Sequence, residues 1–513
     1  MVLILQNPNI EFVSGHHGWV SSHTLAIIKK ATYENNFLGF TCLSLDESNR
    51  LNWEYFDRYP VFFSAFMNWV LKLSHSIKEE VAIARFMMNL IYLITMWFSY
   101  KFILNLFHSR FTAFTSVVLT FSGVYFMYYK DMIHYDQPAL LCLVIMIYII
   151  QKVESNKTVR FLYLIVAIIP LWGRGYSVDF LLLLWFVVSF VFRLQKDGFV
   201  LKNLIFKNKS FFCFILACST SLCSLIYNIH EESIIRDVSI SETSIVQSAK
   251  FRLGISTLTL NKNTNKQNEG IGYKEFTIDQ IKRFSKNIVP YFVFPISNKQ
   301  NTSQFRMVLM GVYIILILGV FLLLLPKYYN FFIKNKIVLI VSILVGPFWL
   351  FVMKNLSAYH DYTTIYYLLI NLIIYSVIFN SLKNVIYKNI LVFGSLFIFL
   401  ISLFFVRNTH QVSNTTATIK HNYIDDIKKL IKEDKTLVVV KNHNFFVEDC
   451  YFMMCYYLSD YIISDIDNEC FNKNGKIIYS SSNKHILLYK LNNNCDVKYE
   501  IRYVLNKKTS NNS

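Results

Sequence analysis

A group of ionisable side chains lies in one turn between two apolar runs. Four such residues fall within seven positions there: Lys130, Asp131, His134 and Asp136. A carboxylate in a turn of this kind can orient a hydroxyl group, act as a general base or bind a cation. Because Asp136 stands two residues before Pro138, capping of the next helix is a second explanation for that carboxylate. Capping does not explain why three other ionisable residues gather beside it.

Two adjacent histidines near the start of the chain, His16 and His17, form another candidate. Neighbouring residues cannot share one face of a helix, whereas in an extended turn both imidazoles can point toward a cleft. Histidine suits acid/base catalysis near neutral pH and also metal ligation. A solvated loop that carries the pair by chance is the competing explanation.

Three further sites combine a cation or a histidine with aromatic residues, a pattern suited to an anionic ligand. They are Arg58 with Tyr59, Arg174 between two glycines, and His360 with Asp361 and Tyr362. A guanidinium can bind phosphate through two parallel hydrogen bonds, and glycines beside Arg174 let the backbone approach such a ligand closely. The alternative is an interfacial belt with snorkelling cations, which accounts well for Trp172 and Tyr176.

The elements that must position these residues are long apolar runs. Hydrophobic residues make up 54% of the 513, charged residues 16%, and the mean hydropathy is +0.37. Because a helix needs about 20 apolar residues to cross a bilayer, this composition predicts a mainly α, polytopic membrane protein with about ten spans. The runs are 83–105, 111–129, 136–151, 159–172, 175–193, 211–228, 307–325, 336–353, 362–380 and 388–407.

The net charge of +18 does not indicate a nucleic-acid partner. The basic residues lie mostly in short loops between apolar runs, where the positive-inside bias places them on the cytoplasmic side. Loops rich in lysine alternate with loops that carry Asp, His and Arg beside aromatic residues. The second kind is therefore predicted to lie outside the cytoplasm, together with both ends of a ten-span chain. Since no apolar helix precedes the polar N-terminal segment, we expect an upstream start or a lost first span. A lost first span would bring the total to eleven spans.

Three regions follow from this topology. Residues 1–82 are predicted to be a first outer loop with interfacial helices, and residues 83–407 a helical membrane domain with an outer insert at 229–306. Residues 408–513 are predicted to form a small α/β domain outside the cytoplasm. Its predicted elements are an amphipathic helix at 423–432, a helix near 447–458 and strands at 436–440, 476–479 and 485–489.

The order of these motifs resembles the GT-C superfamily of membrane glycosyltransferases, and in particular bacterial enzymes that use polyprenyl-phosphate sugars. Such enzymes include aminoarabinose and galacturonosyl transferases and protein O-mannosyltransferases. Four stretches carry the resemblance: His16 to Trp19, Arg58 to Pro60, Tyr128 to Pro138, and His360 to Leu369. The chain departs from the family in lacking a first span and in having a histidine pair where an acidic pair is expected.

The resemblance implies roles for the candidate residues. His16, His17 and Asp136 would be catalytic. Substrate would be bound by Arg58, Tyr59, Lys130, Asp131, His134, Arg174, His360, Asp361 and Tyr362. No metal ligand is assigned and no cofactor is required, although a divalent cation is compatible with the chemistry.

The function that the resemblance implies is transfer of a sugar from a polyprenyl-phosphate carrier to a cell-envelope acceptor on the outer face of the plasma membrane. The expected partners are the lipid-linked sugar, a glycan, lipid or protein acceptor and membrane lipids, without nucleic acid. Two alternatives remain open: a transporter or flippase of a lipid-linked glycan, and a polymerase or ligase of surface polysaccharide.

Overall fold

The computed structural model describes about two thirds of the chain, and most of that part is helical. The described ranges are 12, 16–37, 39–45, 51–55, 59–172, 176–197, 208–235, 253, 304–353, 365–415, 421–431, 438–441, 456–458, 463–464, 476–480, 486–490 and 499–503. Most of the predicted insert at 229–306 lies outside them, as does the chain after residue 503.

Helices account for each predicted apolar run. They are α1 (His16–Lys30), α2 (Val61–Leu71), α3 (Ile77–Phe107), α4 (Arg110–Phe121), α5 (Val124–Tyr128), α6 (Asp136–Glu154), α7 (Leu162–Ile168), α8 (Tyr176–Asp197), α9 (Lys209–Ile235), α10 (Gln304–Leu324), α11 (Tyr329–Lys334), α12 (Lys336–Val352), α13 (Leu368–Asn380), α14 (Val385–Thr415) and α15 (His421–Ile431). Short 3₁₀ turns at Tyr33–Asn35, Ile169–Leu171 and Pro326–Tyr328 join some of them.

Five helices in the described part of the chain are long and apolar enough to cross a membrane: α3, α6, α8, α9 and α14. A sixth span arises if Ile315–Leu324 and Pro326–Lys334 act together across their 46° bend. Shorter apolar helices accompany them, among them α4, α12 and α13. The protein is therefore a multi-pass helical membrane protein, while the total of ten spans stays a prediction.

Two predicted runs are not continuous helices. The run at 111–129 breaks at Ser122 and Gly123, because glycine disfavours helix. The Ser122 hydroxyl donates to the Val118 carbonyl (2.6 Å) at the end of α4. The run at 159–172 ends in a 3₁₀ turn that contains Pro170, which has no N–H to continue an α-helix.

Two contacts join helix ends that lie next to loops predicted to be cytoplasmic. The Lys152 ammonium near the end of α6 donates to the Asn105 side chain near the end of α3 (3.1 Å). Lys336 at the start of α12 lies 3.8 Å from the centre of the Phe192 ring near the end of α8. The alternation of the loops across the membrane stays a prediction.

The opposite end of the bundle is covered by the N-terminal segment and the C-terminal unit. Phe63 of α2, Ile133 of the loop before α6 and Ile427 of α15 belong to one buried apolar cluster. Tyr456 joins the same cluster, and its hydroxyl donates to the Glu80 carboxylate (2.7 Å). Burial of these side chains closes the end of the bundle that holds the loop between α5 and α6.

Strands occur where the sequence predicts them in the C-terminal region. After an antiparallel pair near the N-terminus, β1 (Phe40–Leu45) and β2 (Leu51–Tyr55), the strands are β3 (Val438–Lys441), β4 (Ile463–Ser464), β5 (Lys476–Ser480), β6 (Ile486–Lys490) and β7 (Tyr499–Tyr503). The last five form a sheet in the order β4-β3-β7-β6-β5, in which β3 is parallel to both its neighbours. Of the helix predicted near 447–458, the structure describes only 456–458 and places Tyr456 and Tyr457 in a helical turn.

A glycine on α12 permits the close approach of the chain that leads into α13. A Cβ at Gly346 would lie 2.7 Å from the Tyr366 carbonyl oxygen, whereas a Cβ at Gly394 of α14 would have no neighbour within 4 Å. We expect Gly346→Ala to destabilise the protein by about 1–3 kcal/mol through overpacking. Gly394→Ala should be neutral or stabilising, because alanine favours helix over glycine by about 1 kcal/mol.

Thermal unfolding of both variants in the same detergent checks this expectation. A melting temperature for Gly346→Ala equal to that for Gly394→Ala would contradict the close contact.

Candidate functional site

The loop between α5 and α6 is buried, although the sequence suggested an outer lip facing a cleft. Lys130 is 4% exposed, Asp131 3% and Asp136 0%. The Ile133 backbone N–H donates to the Ser21 hydroxyl of α1 (3.2 Å), and the Tyr135 and Ser64 hydroxyls are hydrogen-bonded (2.6 Å). Helices α1 and α2 therefore each hold this segment through a hydrogen bond to a serine side chain.

Three residues from separate parts of the chain meet on one side of this loop. We call His17, Asp131 and His410 the His17 cluster. The Asp131 Oδ1 atom lies 3.3 Å from His17 Nε2, and its Oδ2 atom lies 3.7 Å from His410 Nδ1. The two imidazole rings are 5.0 Å apart between centroids, and all three residues are buried.

Positive charge lies beside the His17 cluster. The Lys130 ammonium donates to the Asn89 side-chain oxygen (3.1 Å), and the Asn89 amide donates to the Arg85 carbonyl (2.8 Å). Arg85 is 3% exposed and stays protonated. Burial lowers the pKa of Lys130, and Asp131 only partly opposes that effect.

Asp131 is a carboxylate that interacts with Lys130 and with both histidines. Burial opposes its ionisation, but the charge of Lys130 and the contacts with the two histidines outweigh burial, so the pKa of Asp131 is held well below its usual range. An ionised carboxylate therefore lies inside the protein with basic groups around it.

A second group of side chains lies at the start of α6. We call His134, Asp136 and Tyr366 the Asp136 cluster. The Asp136 Oδ2 atom lies 2.8 Å from His134 Nδ1, and its Oδ1 atom accepts a hydrogen bond from the Tyr366 hydroxyl (3.1 Å). Tyr135 is the N-cap of α6 and makes no side-chain cap bond, while Asp136 is the first helical residue.

The Asp136 cluster has the geometry of an oriented base. If His134 Nδ1 carries the proton that Asp136 accepts, the other ring nitrogen, Nε2, is able to take a proton. The Tyr59 ring packs edge-on against His134, with centroids 6.2 Å apart. The two carboxylates of one loop thus have different partners and can serve different roles.

The remaining predicted site residues are only partly described. His16 is the first residue of α1 and its side chain lies outside the description. The expectation of an extended turn at the histidine pair is wrong, because α1 begins at His16. Five other predicted ligands lie outside the described residues, so their roles stay predictions: Arg58, Arg174, His360, Asp361 and Tyr362.

Sequence analysis missed three residues that the structure brings to the site: Arg85, Asn89 and His410. Tyr366 lies in the stretch from His360 to Leu369 that carried the resemblance, but it was given no role. Arg85 had a signal, because an ionisable residue inside an apolar run is a functional candidate by default. His410 had none, since it follows its apolar run in sequence and meets the loop only through packing.

One known family matches this part of the chain. The model of the dolichyl-phosphate-mannose-protein mannosyltransferase family matches residues 64–223, which extend from α2 into α9 and include Arg85 and the loop between α5 and α6. No curated protein matches the chain. The family match confirms the resemblance to GT-C glycosyltransferases over these residues.

Replacement of Asp131 tests whether it compensates the buried Lys130. We expect Asp131→Asn to lower the free energy of unfolding by about 3–5 kcal/mol, because it removes the carboxylate that acts on this buried ammonium group. Unfolding of the purified protein in detergent, followed by tryptophan fluorescence, measures the change.

The matched control removes an exposed ion pair instead. Asp426 lies 3.7 Å from Lys429, and their side chains are 49% and 74% exposed. Asp426→Asn should change the free energy of unfolding by less than about 1 kcal/mol. Equal losses in the two variants would show that the loop does not depend on Asp131.

Proposed function

We propose that this protein transfers a sugar from a polyprenyl-phosphate carrier to a cell-envelope glycan, lipid or protein on the outer face of the plasma membrane. The observation that carries the proposal is a buried loop with two carboxylates, each next to histidine, at one end of an apolar helix bundle. The loop lies in the region that matches the mannosyltransferase family.

The reaction needs a base for the acceptor and charge stabilisation for the leaving group. The acceptor hydroxyl oxygen forms a bond to the anomeric carbon, and the bond from that carbon to the carrier phosphate oxygen breaks. The hydroxyl proton passes to the base, and the carrier leaves as the polyprenyl phosphate anion. The reaction needs no oxidant and no nucleotide, so a site of acids, bases and cations is sufficient.

The Asp136 cluster supplies the base in this proposal. Asp136 orients the His134 ring through the 2.8 Å contact, and the Tyr366 hydroxyl fixes the other carboxylate oxygen. A carboxylate held in this way stabilises the imidazolium that forms when the acceptor loses its proton. Asp136 keeps the catalytic role that the resemblance implies, and His134 moves from substrate binding to proton transfer.

Cations near the loop would bind the phosphate. Lys130 and Arg85 lie within the buried site, and Arg58, Arg174 and His360 are the further candidates from the sequence. Fixed positive charge in a site that excludes water stabilises an anion more strongly than it does in water.

The sidedness of the site supports placement outside the cytoplasm. The lysine contacts at Asn105 and Phe192 lie at the other end of the bundle from the loop. Since basic loops favour the cytoplasmic side, the loop and the C-terminal unit would face outward.

A transporter of a lipid-linked glycan is the second candidate, and one observation favours it. Asp179 of α8 accepts a hydrogen bond from Ser221 of α9 (2.6 Å), so a carboxylate lies within a span. Transport needs such polar groups along a path through the bilayer. A surface-polysaccharide polymerase or ligase gains no comparable support from the described residues.

The test is a transfer assay with reconstituted protein and a set of polyprenyl-phosphate sugars, which measures release of the polyprenyl phosphate. We expect Asp136→Asn and His134→Ala each to lower kcat about 10²–10⁴-fold, the usual contribution of a general base. The exposed Asp425 of α15 is the matched control, and Asp425→Asn should retain full turnover.

The outcome separates the candidates. Movement of the lipid-linked sugar across the vesicle membrane without release of polyprenyl phosphate would overturn transfer in favour of transport. In that case Asp179→Asn should abolish the movement and Asp136→Asn should leave it unchanged.

A further inference from the structure

We propose that the His17 cluster is a binding site for one divalent transition-metal ion of the zinc class. One potential ligand atom from each of His17, Asp131 and His410 lies within 4.8 Å of the other two. The ligands come from α1, the loop before α6 and the last turns of α14, so packing and not a sequence motif brings them together. The inference depends on this geometry and not on the proposed transfer reaction.

Hydrogen bonding within the protein leaves these side chains incompletely satisfied. The 3.7 Å separation between Asp131 Oδ2 and His410 Nδ1 is too long for a hydrogen bond. Among the described residues, His17 Nδ1 and His410 Nε2 are buried and have no hydrogen-bond partner. The nitrogens that face Asp131 are the other ones, His17 Nε2 and His410 Nδ1. A tautomer that carries the proton on the far nitrogen of each ring leaves these two able to bind an ion.

The donor set selects the type of ion. Imidazole nitrogen with one carboxylate suits Zn²⁺ and its neighbours in the transition series, whereas Mg²⁺ and Ca²⁺ prefer oxygen ligands. Tetrahedral Zn²⁺ with bonds of about 2.0–2.1 Å requires donors roughly 3.3 Å apart. Ligand atoms within 4.8 Å of one another reach that spacing through small rotamer shifts.

Three protein ligands leave one coordination position open. Two neutral imidazoles and one carboxylate leave a bound Zn²⁺ with a net charge of +1. That charge favours an anion at the open position, either hydroxide or a phosphate oxygen.

The experiment measures metal on the full chain, purified with a tag that contains no histidine. The protein is treated with EDTA and dialysed against buffered Zn²⁺, and bound zinc is determined by mass spectrometry. We expect one zinc per chain and a loss of affinity of about 100-fold or more in His17→Ala and in His410→Ala, since each removes a ligand. His75→Ala is the matched control, because His75 is exposed and distant in sequence from the cluster, and it should bind zinc like the parent chain.

A second measurement covers the case in which a variant fails to fold. Co²⁺ added to the unmodified chain should give the intense visible absorption of a four-coordinate site, and Zn²⁺ should displace it. The proposal is overturned if the parent chain binds no zinc, or if folded His17→Ala and His410→Ala bind it as the parent does. Metal binding without sugar transfer would leave this site standing and remove the proposed function. Sugar transfer by a parent chain that binds no added zinc would remove this site and leave the proposed function standing.

Discussion

Burial of a charged loop at the end of an apolar helix bundle is the constraint on which the rest of this structure depends. Taking a carboxylate or an ammonium group out of water costs several kcal/mol unless a partner compensates it. Asp131 has two histidines beside it, Lys130 donates to Asn89, and Asp136 accepts from Tyr366. Each partner belongs to a different helix or turn, so the polar contacts also fix how α1, α3, α13 and α14 meet.

The division of partners gives the two carboxylates of one loop different chemistry. Asp131 lies among cations and histidines and stays ionised, which suits it to hold a metal ion or to compensate charge. Asp136 orients a single imidazole at the start of α6, which suits proton transfer. A reaction that moves a sugar away from a phosphate needs both functions, one for the acceptor proton and one for the leaving anion. Because Asp131 and Asp136 lie in the same short loop, the sequence does not indicate that the two carboxylates have different roles.

Much of the helical framework was predictable, because a bilayer imposes both the length and the composition of a spanning helix. The runs at 83–105 and 136–151 correspond to α3 and α6. Prediction failed where local packing interrupts a run, as at Ser122, or where a polar pair starts a helix, as at His16 and His17. Neither outcome follows from hydrophobic periodicity, because both depend on hydrogen bonds and contacts made by only a few residues.

By itself the sequence determined that the chain is a helical membrane protein, that its loops alternate in charge, and that 130–136 is the place to look for chemistry. Tertiary structure alone decided which side chains meet there. His17 and His410 come from opposite ends of the chain, and Arg85 reaches the site from within α3. The physical reason is that composition and period act over a few turns of helix, whereas the pairing of buried charges is decided when distant helices pack and each ion must find its partner.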